Sequence, residues 1–508
     1  MKKFLSLTFI FSSVSSLVHN GNGSSCVTEY LRRHDYLGSI EESGSEEYVA
    51  TLSIDNKRVA VNPSLVLVPT NEHDVALAVK ATRSCHLPFS IISGGHSAGG
   101  YCLSKDGITL NIRDGLNHVK LLENNAIGGT VHVESGALWE DVYRVTNDTA
   151  YLPIGGGCTT VGSGFILGGG WSFLSRSYGL GSDNVLSFRL VLANGTAITA
   201  SKDENADVFW TLGAGGGNFG VVTSFVLQTH PPRSSNMLVG EYCWEPFDPA
   251  IPELWTFWFE QFKIWPDWMD IEPVWLLIAP ESTAAETVRQ SRHAHQRTSG
   301  GTTDVSTDPR MFCFTVICNG DPDSECAPYV NPIAAKYPPV INSVQAQPFM
   351  QWQMANVEVT DAQDGYLYLT SGILPPGALT TEVITQLMDA LKTAPSDQNL
   401  VLFHAGGGAI SHINSTSTAF IHRDLELVIQ IKGIWEHADD EEINIAWVKS
   451  TRAIVAPLLT GSYINYIDPL LEGWQEAYYG DNYDKLLEIK QSLDPDNFFR
   501  FNQSVGSV

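Results

Sequence analysis

The chain has 508 residues, 30 Lys and Arg against 56 Asp and Glu for a formal net charge of −26, 43% apolar residues and 17% charged ones. This apolar content excludes a disordered chain, and the length exceeds the roughly 250–300 residues at which a single core stops growing, so two domains are expected. An acidic surface, with a pI of about 4.8, repels phosphate backbones and anionic headgroups, which argues against nucleic acid or a membrane as partner and for a small molecule.

Lys2 and Lys3 precede an apolar, serine-interrupted run from Phe4 to Val18 that is too short to span a bilayer, the pattern of a signal peptide over residues 1–20. No later stretch offers about 18 continuous apolar residues, so after leader removal nothing should hold the chain in a membrane, and secretion or residence in the secretory pathway follows. Sequons at Asn22, Asn147, Asn194, Asn414 and Asn502 agree with a glycoprotein. Eight cysteines in such a compartment suggest disulfides. Cys26 with Cys85 could tie down the N-terminus, and Cys313, Cys318 and Cys326 could supply one local bridge. No zinc-ligand spacing is present, so no metal is expected.

Pro63 introduces Ser-Leu-Val-Leu-Val-Pro as a buried strand, Asn71–Ser84 reads as a helix with Val75, Ala78, Val79 and Thr82 on its inner face, and Pro88–Ser93 as a second strand. This βαβ-like start runs into Gly94-Gly95-His96-Ser97, where glycines let amide groups face an anionic ligand. A second loop, residues 155–170, holds eight glycines in sixteen positions and surrounds Cys158. A third, Gly213–Gly220, precedes the strand Val221–Leu227. None sits in a strand–GxGxxG–helix context or carries a Walker lysine, so a nucleotide site here belongs to another architecture. After Pro231-Pro232 a Trp-rich stretch follows, including Trp244, Trp255, Trp258, Trp265, Trp268, Trp275 and Trp352, with strands over Met311–Ile317 and Glu426–Ile431. Its aromatics are core by default, and some could line an organic pocket. The chain then returns through Tyr463–Asp468 to a helix over Asp484–Gln491.

Taken together, Gly94-Gly-His96-Ser, Gly157-Cys158-Thr-Thr-Val161-Gly, Leu167-Gly-Gly-Gly170, Asp183-Asn-Val, Asp207-Val-Phe-Trp210, Gly215–Gly220 and the terminal Tyr-Tyr-Gly…Asp-Pro-x-Asn-Phe resemble the vanillyl-alcohol oxidase/p-cresol methylhydroxylase flavoproteins. Within them the chain resembles the berberine-bridge-enzyme-like oxidases, a group that includes the fungal oligosaccharide oxidases. The resemblance implies an α+β fold with a two-subdomain FAD-binding domain over residues 26–235 and an α+β substrate domain with an antiparallel sheet over 236–440. A C-terminal return to the FAD domain over 441–508 completes it. It also implies FAD attached twice, through His96 and Cys158, with Ser93, Gly94, Gly95, Ser97, Val161, Gly162, Gly164, Gly168, Gly169, Gly220 and Val221 around the cofactor. An imidazole and a thiolate are the side chains best suited to attack an electrophilic flavin, and both lie in loops that let a ring approach.

For catalysis the resemblance points to Tyr466 as proton acceptor and Gln430 as a substrate-facing amide. In those relatives an aspartate lowers the pKa of the tyrosine. The matching stretch here, Leu400–Gly406, puts Leu402 in that place, with His404 nearby. Ala98 stands where the sugar oxidases carry a stacking tyrosine and Leu400 replaces a polar position, which favours a less polar substrate than a carbohydrate. Val161 stands where the relatives that use oxygen carry a small side chain, so the resemblance implies an oxidase. The expectation is a monomeric oxidase that takes a hydride from a natural-product alcohol, phenol or amine, with oxidative cyclisation as one form of the reaction, and gives hydrogen peroxide. A carbohydrate oxidase, a dehydrogenase with another acceptor, and a ligand-binding protein on a degenerate flavin fold are the alternatives.

Overall fold

The computed structural model describes residues 23–52, 54–125, 128–277, 309–355 and 365–507; the predicted leader and the sequon at Asn22 lie outside the described residues. The fold is mixed α and β, built on three sheets. The first contains β1 (Ser39–Glu42), β2 (Leu65–Val68), β3 (Phe89–Ile92) and β4 (Ile108–Asn111) in the order β1-β2-β4-β3. The helix Glu72–Ser84 forms where its pattern predicts. Asn71 caps it by accepting from the Asp74 amide at 2.9 Å, two acids occupy its first turn, and Val75, Ala78, Val79 and Thr82 are buried. β2 and β3 are not neighbours, however: β4 enters between them and pairs with both in parallel. The insertion lets the chain after β3 cross as the irregular Gly94–Gly100 loop before returning to the sheet.

The second sheet, all antiparallel, takes β5 (Val119–Asn125), β6 (Gly128–Glu134), β7 (Val185–Val191), β8 (Ala197–Ser201) and β9 (Val221–Thr229) in the order β5-β6-β9-β7-β8. The third is an eight-stranded antiparallel sheet of β10 (Met237–Trp244), β11 (Met269–Leu277), β12 (Arg310–Cys318), β13 (Ile341–Asn342), β14 (Gln345–Gln347), β15 (Tyr366–Leu374), β16 (Leu400–Ala405) and β17 (Leu427–Trp435). Its two faces separate by parity. Ile271 and Trp275 of β11, Val401, Phe403 and Ala405 of β16, and Leu427, Ile429 and Ile431 of β17 pack under the helices Ile251–Phe262, Thr381–Lys392 and Glu441–Val455. Asp270 and Glu272, Leu402 and His404, and Gln430 and Lys432 therefore share the opposite face.

The tryptophans take the core role expected of them by default. Trp244, Trp255, Trp258, Trp265 and Trp275 all belong to the helix-covered core, Trp268 packs against it, and Trp352 lies in the core of the second sheet. Burying such large rings is what joins sheet to helices.

Two of the cysteine readings are met by Cys26–Cys85 and by Cys318–Cys326, while Cys313 bonds instead to Cys243, its direct cross-strand partner on β10. A buried ion pair crosses between distant parts of the chain: Arg423 donates twice to Asp183, at 2.7 and 2.8 Å, with both side chains 4% exposed. No helix among the described residues is long and apolar enough to cross a membrane. Asn147, Asn194, Asn414 and Asn502 are all exposed.

Candidate active site

Two of the glycine loops meet backbone to backbone. A Cβ on Gly94 would collide with the Gly162 amide, and one on Gly162 with Ser93 and the Gly94 backbone. Glycine is required at this crossing for loop contact, whatever else it admits. Ser93 bolts the crossing: its hydroxyl donates to the Ser135 carbonyl at 2.7 Å and accepts from the Ser163 amide at 3.0 Å. Gly95 takes a positive φ of 82°, which turns the chain so that His96 faces the second loop, and the Ser97 hydroxyl accepts from the Tyr101 amide at 3.2 Å. Gly164 begins a short helix, Gly164–Leu167, that Gly168 and Gly169 end. Gly220 and Val221 sit apart from this crossing. Gly220 packs against Val191, and the Val221 side chain is fully buried in the core of the first sheet, so that only their backbone could meet a ligand.

The crossing brings His96 and Cys158 together. The Thr160 hydroxyl lies 2.9 Å from His96 Nε2 and 3.4 Å from Cys158 Sγ, while His96 Nδ1 lies 3.1 Å from Asp55. The imidazole nitrogen facing Asp55 is the donor, which leaves Nε2 to accept from Thr160 and gives the thiol a route for its proton toward the imidazole. Lys432 of β17 stands on the same side. Burial pushes its ammonium pKa down, and the charges of Asp55 and Cys158 oppose that shift. A nucleophilic sulfur and a nucleophilic nitrogen joined through one hydroxyl, beneath a glycine crossing, suit a planar electrophilic group with two points of attachment.

The C-terminal return supplies the opposite wall. The Tyr463 hydroxyl accepts from the amides of Gly170 at 3.1 Å and Trp171 at 3.0 Å and from Asn465 at 2.9 Å, and Asn465 also donates to the Phe165 carbonyl at 2.8 Å. These bonds dock the short 3₁₀ turn Ile464–Tyr466 onto the second glycine loop and aim Tyr466 at the polar face of the third sheet. There Tyr466 meets His404, whose Nε2 lies 2.6 Å from the phenol, and His404 Nδ1 lies 2.9 Å from Glu272. The residue that touches the tyrosine is thus His404, two places farther along the same strand face than Leu402. Burial raises the Tyr466 pKa well above the usual phenol value, with Tyr463, Glu272 and Cys158 adding to the rise. The bonds of Tyr463 and Asn465 to Phe165, Gly170 and Trp171 bring the phenol to the loop that carries Cys158. Gln430 is buried in β17, paired in register with Leu402 and with Ser371 of β15.

Asp55, Thr160, Trp171, Glu272 and Lys432 escape a linear reading of the sequence. Trp171 packs at 6.1 Å from the His404 ring. One local signal existed: Met269-Asp270-Ile271-Glu272 places two acids on one face of an otherwise apolar strand, where each needs a reason to be buried.

Comparison with known proteins agrees with this geometry. Residues 63–201 match the FAD binding domain family, and residues 462–506 match the family described as berberine and berberine like. An FAD-linked oxidoreductase of Dictyostelium discoideum is 28% identical, with 93% of this chain and 95% of that one aligned. Among solved structures, BBE-like 1 of Physcomitrella patens superposes with a TM-score of 0.80 at 22% identity, over 96% of this chain and 99% of that one. Glucooligosaccharide oxidase of Acremonium strictum, which carries a 6-S-cysteinyl, 8α-N1-histidyl FAD, does so with a TM-score of 0.78 at 20% identity, over 94% and 99%. Both superpositions speak to the fold, and the two family matches fall on the segment carrying the glycine crossing and on the segment carrying Tyr463 and Tyr466. The chain carries an FAD binding domain and a berberine-like C-terminal segment, is an FAD-linked oxidoreductase, and has the fold of BBE-like enzymes.

Proposed function

We propose that this protein is a secreted, monomeric oxidase that removes a hydride from a natural-product alcohol, phenol or amine and passes the electrons to oxygen, yielding hydrogen peroxide. His96 and Cys158 would hold the FAD covalently, Ser93, Gly94, Gly95, Ser97, Val161, Gly162, Gly164, Gly168 and Gly169 would shape its bed, and Gly220 and Val221 would contribute backbone alone. When bound, the flavin supplies a two-electron acceptor that oxygen can reoxidise. The protein's part is to position the substrate C–H and to take the proton of its hydroxyl, which makes hydride departure easier. Tyr466 is the residue placed for that transfer, and Gln430 presents an amide from the facing strand. Three disulfides and four exposed sequons support a secretory route.

The substrate class rests on one observation: Ala98, Leu367, Leu369, Leu400 and Ile434 form an apolar cluster against Tyr466. A hydroxyl-rich sugar would leave its OH groups without partners along that wall, at about 1–3 kcal/mol for each unmet bond. A second reading, oligosaccharide oxidation, draws on Gln430, Ser371 and Lys432, which offer polar atoms on the same sheet face. A peroxide assay over 4-methoxybenzyl alcohol, N-methylbenzylamine, cellobiose, chitobiose and maltose separates the two. Turnover of the aromatic probes is expected, and a strong preference for any disaccharide would replace the first reading with the second. Mass spectrometry of tryptic fragments should find one flavin bridging the peptides of His96 and Cys158. Finding both peptides unmodified in folded, yellow protein would remove the covalent assignment.

A further inference from the structure

We propose that His404 and Glu272 form a proton relay behind Tyr466: as Tyr466 takes a proton from the substrate hydroxyl, His404 takes the phenol's own proton and Glu272 holds the imidazolium that results. The proposal rests on the reading of Tyr466 as the base that faces the substrate. Its geometry is a continuous line of two hydrogen bonds, 2.6 Å from Tyr466 to His404 Nε2 and 2.9 Å from His404 Nδ1 to Glu272. A carboxylate accepts, so Nδ1 carries the proton and Nε2 is left to accept from the phenol O–H. Burial keeps Tyr466 protonated at rest, which rules against a standing phenolate. The phenol can take a proton only by giving one up, and His404 is the acceptor already bonded to it.

The surroundings are arranged for charge rather than packing. His404 is 15% exposed and Glu272 7%, and burying a carboxylate costs several kcal/mol unless its charge is used or matched. Glu272 spends one oxygen on His404, and its other oxygen and both oxygens of Asp270, two residues earlier on the same face, meet no hydrogen-bond donor among the described residues. Arg176 closes the row behind Asp270. Its Nε is bound to the Met269 carbonyl at 2.5 Å and its Nη1 to that of Gly406. Burial and the charge of Glu272 raise the Asp270 pKa well above the carboxylate range, with Arg176 opposing, which favours the neutral acid at Asp270. The titratable groups around the relay are then Glu272 and Asp270 from β11, Tyr463 and Tyr466 from the 3₁₀ turn, Arg176 and Cys158 from the second glycine loop and the segment after it, and Lys432 from β17.

The step balances. The substrate O–H bond breaks and a new Tyr466 O–H forms, the original Tyr466 O–H breaks and His404 Nε2–H forms. FAD, when bound, would supply the acceptor for the hydride, so that the substrate gives up one proton and one hydride overall. His404 later returns its proton to solvent.

The test uses the holoenzyme, with anaerobic flavin bleaching by 4-methoxybenzyl alcohol and by cellobiose followed by stopped flow across about pH 5 to 9. His404→Ala should slow bleaching by roughly 10²-fold or more while leaving the substrate concentration for half-maximal rate unchanged, and added imidazole should restore part of the loss. Glu272→Gln keeps the shape and removes the charge, so it should slow bleaching by a smaller factor and displace the acid limb of the pH profile. Should His404→Ala fail to fold, His404→Asn and Glu272→Gln carry the same test. Unaltered bleaching in the His404 variant, or a loss confined to substrate binding, overturns the relay and leaves Tyr466 in place. Unaltered bleaching by Tyr466→Phe, or no bleaching by either alcohol in the wild type, overturns the reading beneath it. A substrate-free check is the nitrogen NMR spectrum of histidine-labelled holoenzyme, assigned by difference with His404→Asn. A neutral ring protonated on Nδ1 is expected, and one protonated on Nε2 would point the hydrogen bond the wrong way and end the proposal.

Discussion

The two walls of the site are made of different material. The cofactor side is built by backbone: Gly94 and Gly162 cross at a distance that no Cβ permits, and Ser93 pins them. The substrate side is built by side chains projecting from strands, with Glu272, His404 and Gln430 on β11, β16 and β17 and Tyr466 lowered onto them by a turn from the chain's last fifty residues. A wall of backbone tolerates almost no substitution but asks little of distant sequence. The other accepts many side chains in principle, and its chemistry depends on register between segments that lie 132 and 62 residues apart.

The contrast predicts where function breaks without structure and where structure breaks without a change in chemistry. The largest effect is expected from Tyr466→Phe, which should lower kcat by roughly 10²–10⁴-fold, the range of general-base loss, with flavin content unchanged. Equal turnover of an alcohol probe by variant and wild type would show that the side-chain wall does not carry the chemistry. Arg423→Ala should come next. It strands the Asp183 carboxylate in a setting where both partners are 4% exposed, and denaturant titration should show a loss of about 3–5 kcal/mol. A loss below about 1 kcal/mol would mean that water reaches the pair.

Gly162→Ala sharpens the comparison at the other wall. The methyl must displace the Gly94 backbone, so a cost of about 1–3 kcal/mol is expected together with less acid-stable flavin per protein. Wild-type flavin loading would show that the crossing can open. The smallest effect concerns pH. Burial holds the His422 pKa at about 4, against 6.5 unperturbed, so the unfolded chain binds more protons between these values and stability must fall as pH drops from about 6.5 toward 4. His422→Gln should flatten that part of the profile of Tm against pH. An unchanged slope would assign the acid sensitivity to other groups.

The same contrast explains what was legible in the sequence. Glycine clusters are local, so the crossing loops, with His96 and Cys158 inside them, announce themselves within a dozen residues each. The helix Glu72–Ser84 and strand β9 likewise follow from local period and caps. β4 does not, because four residues of strand carry too little pattern and its place between β2 and β3 is decided by the sheet. Tyr466 was reached by resemblance. Glu272 and Asp55 could not be reached, since their partners are chosen by strand register and loop packing across 132 and 41 residues. Trp275 faces the helices because of its strand parity, and Trp255 meets it from the helix Ile251–Phe262.

The hydroxyl of Tyr463 holds Gly170 and Trp171 in place across 293 and 292 positions of chain. At ribosomal speeds of about 5–20 residues per second, that interval is about 15–60 s. Throughout it the first two glycine loops have been made while the phenol they await has not. A nascent polypeptide can therefore begin to assemble a bed for the chromophore without being able to oxidise anything, and a prematurely terminated product would lack the residue that completes the reactive cleft.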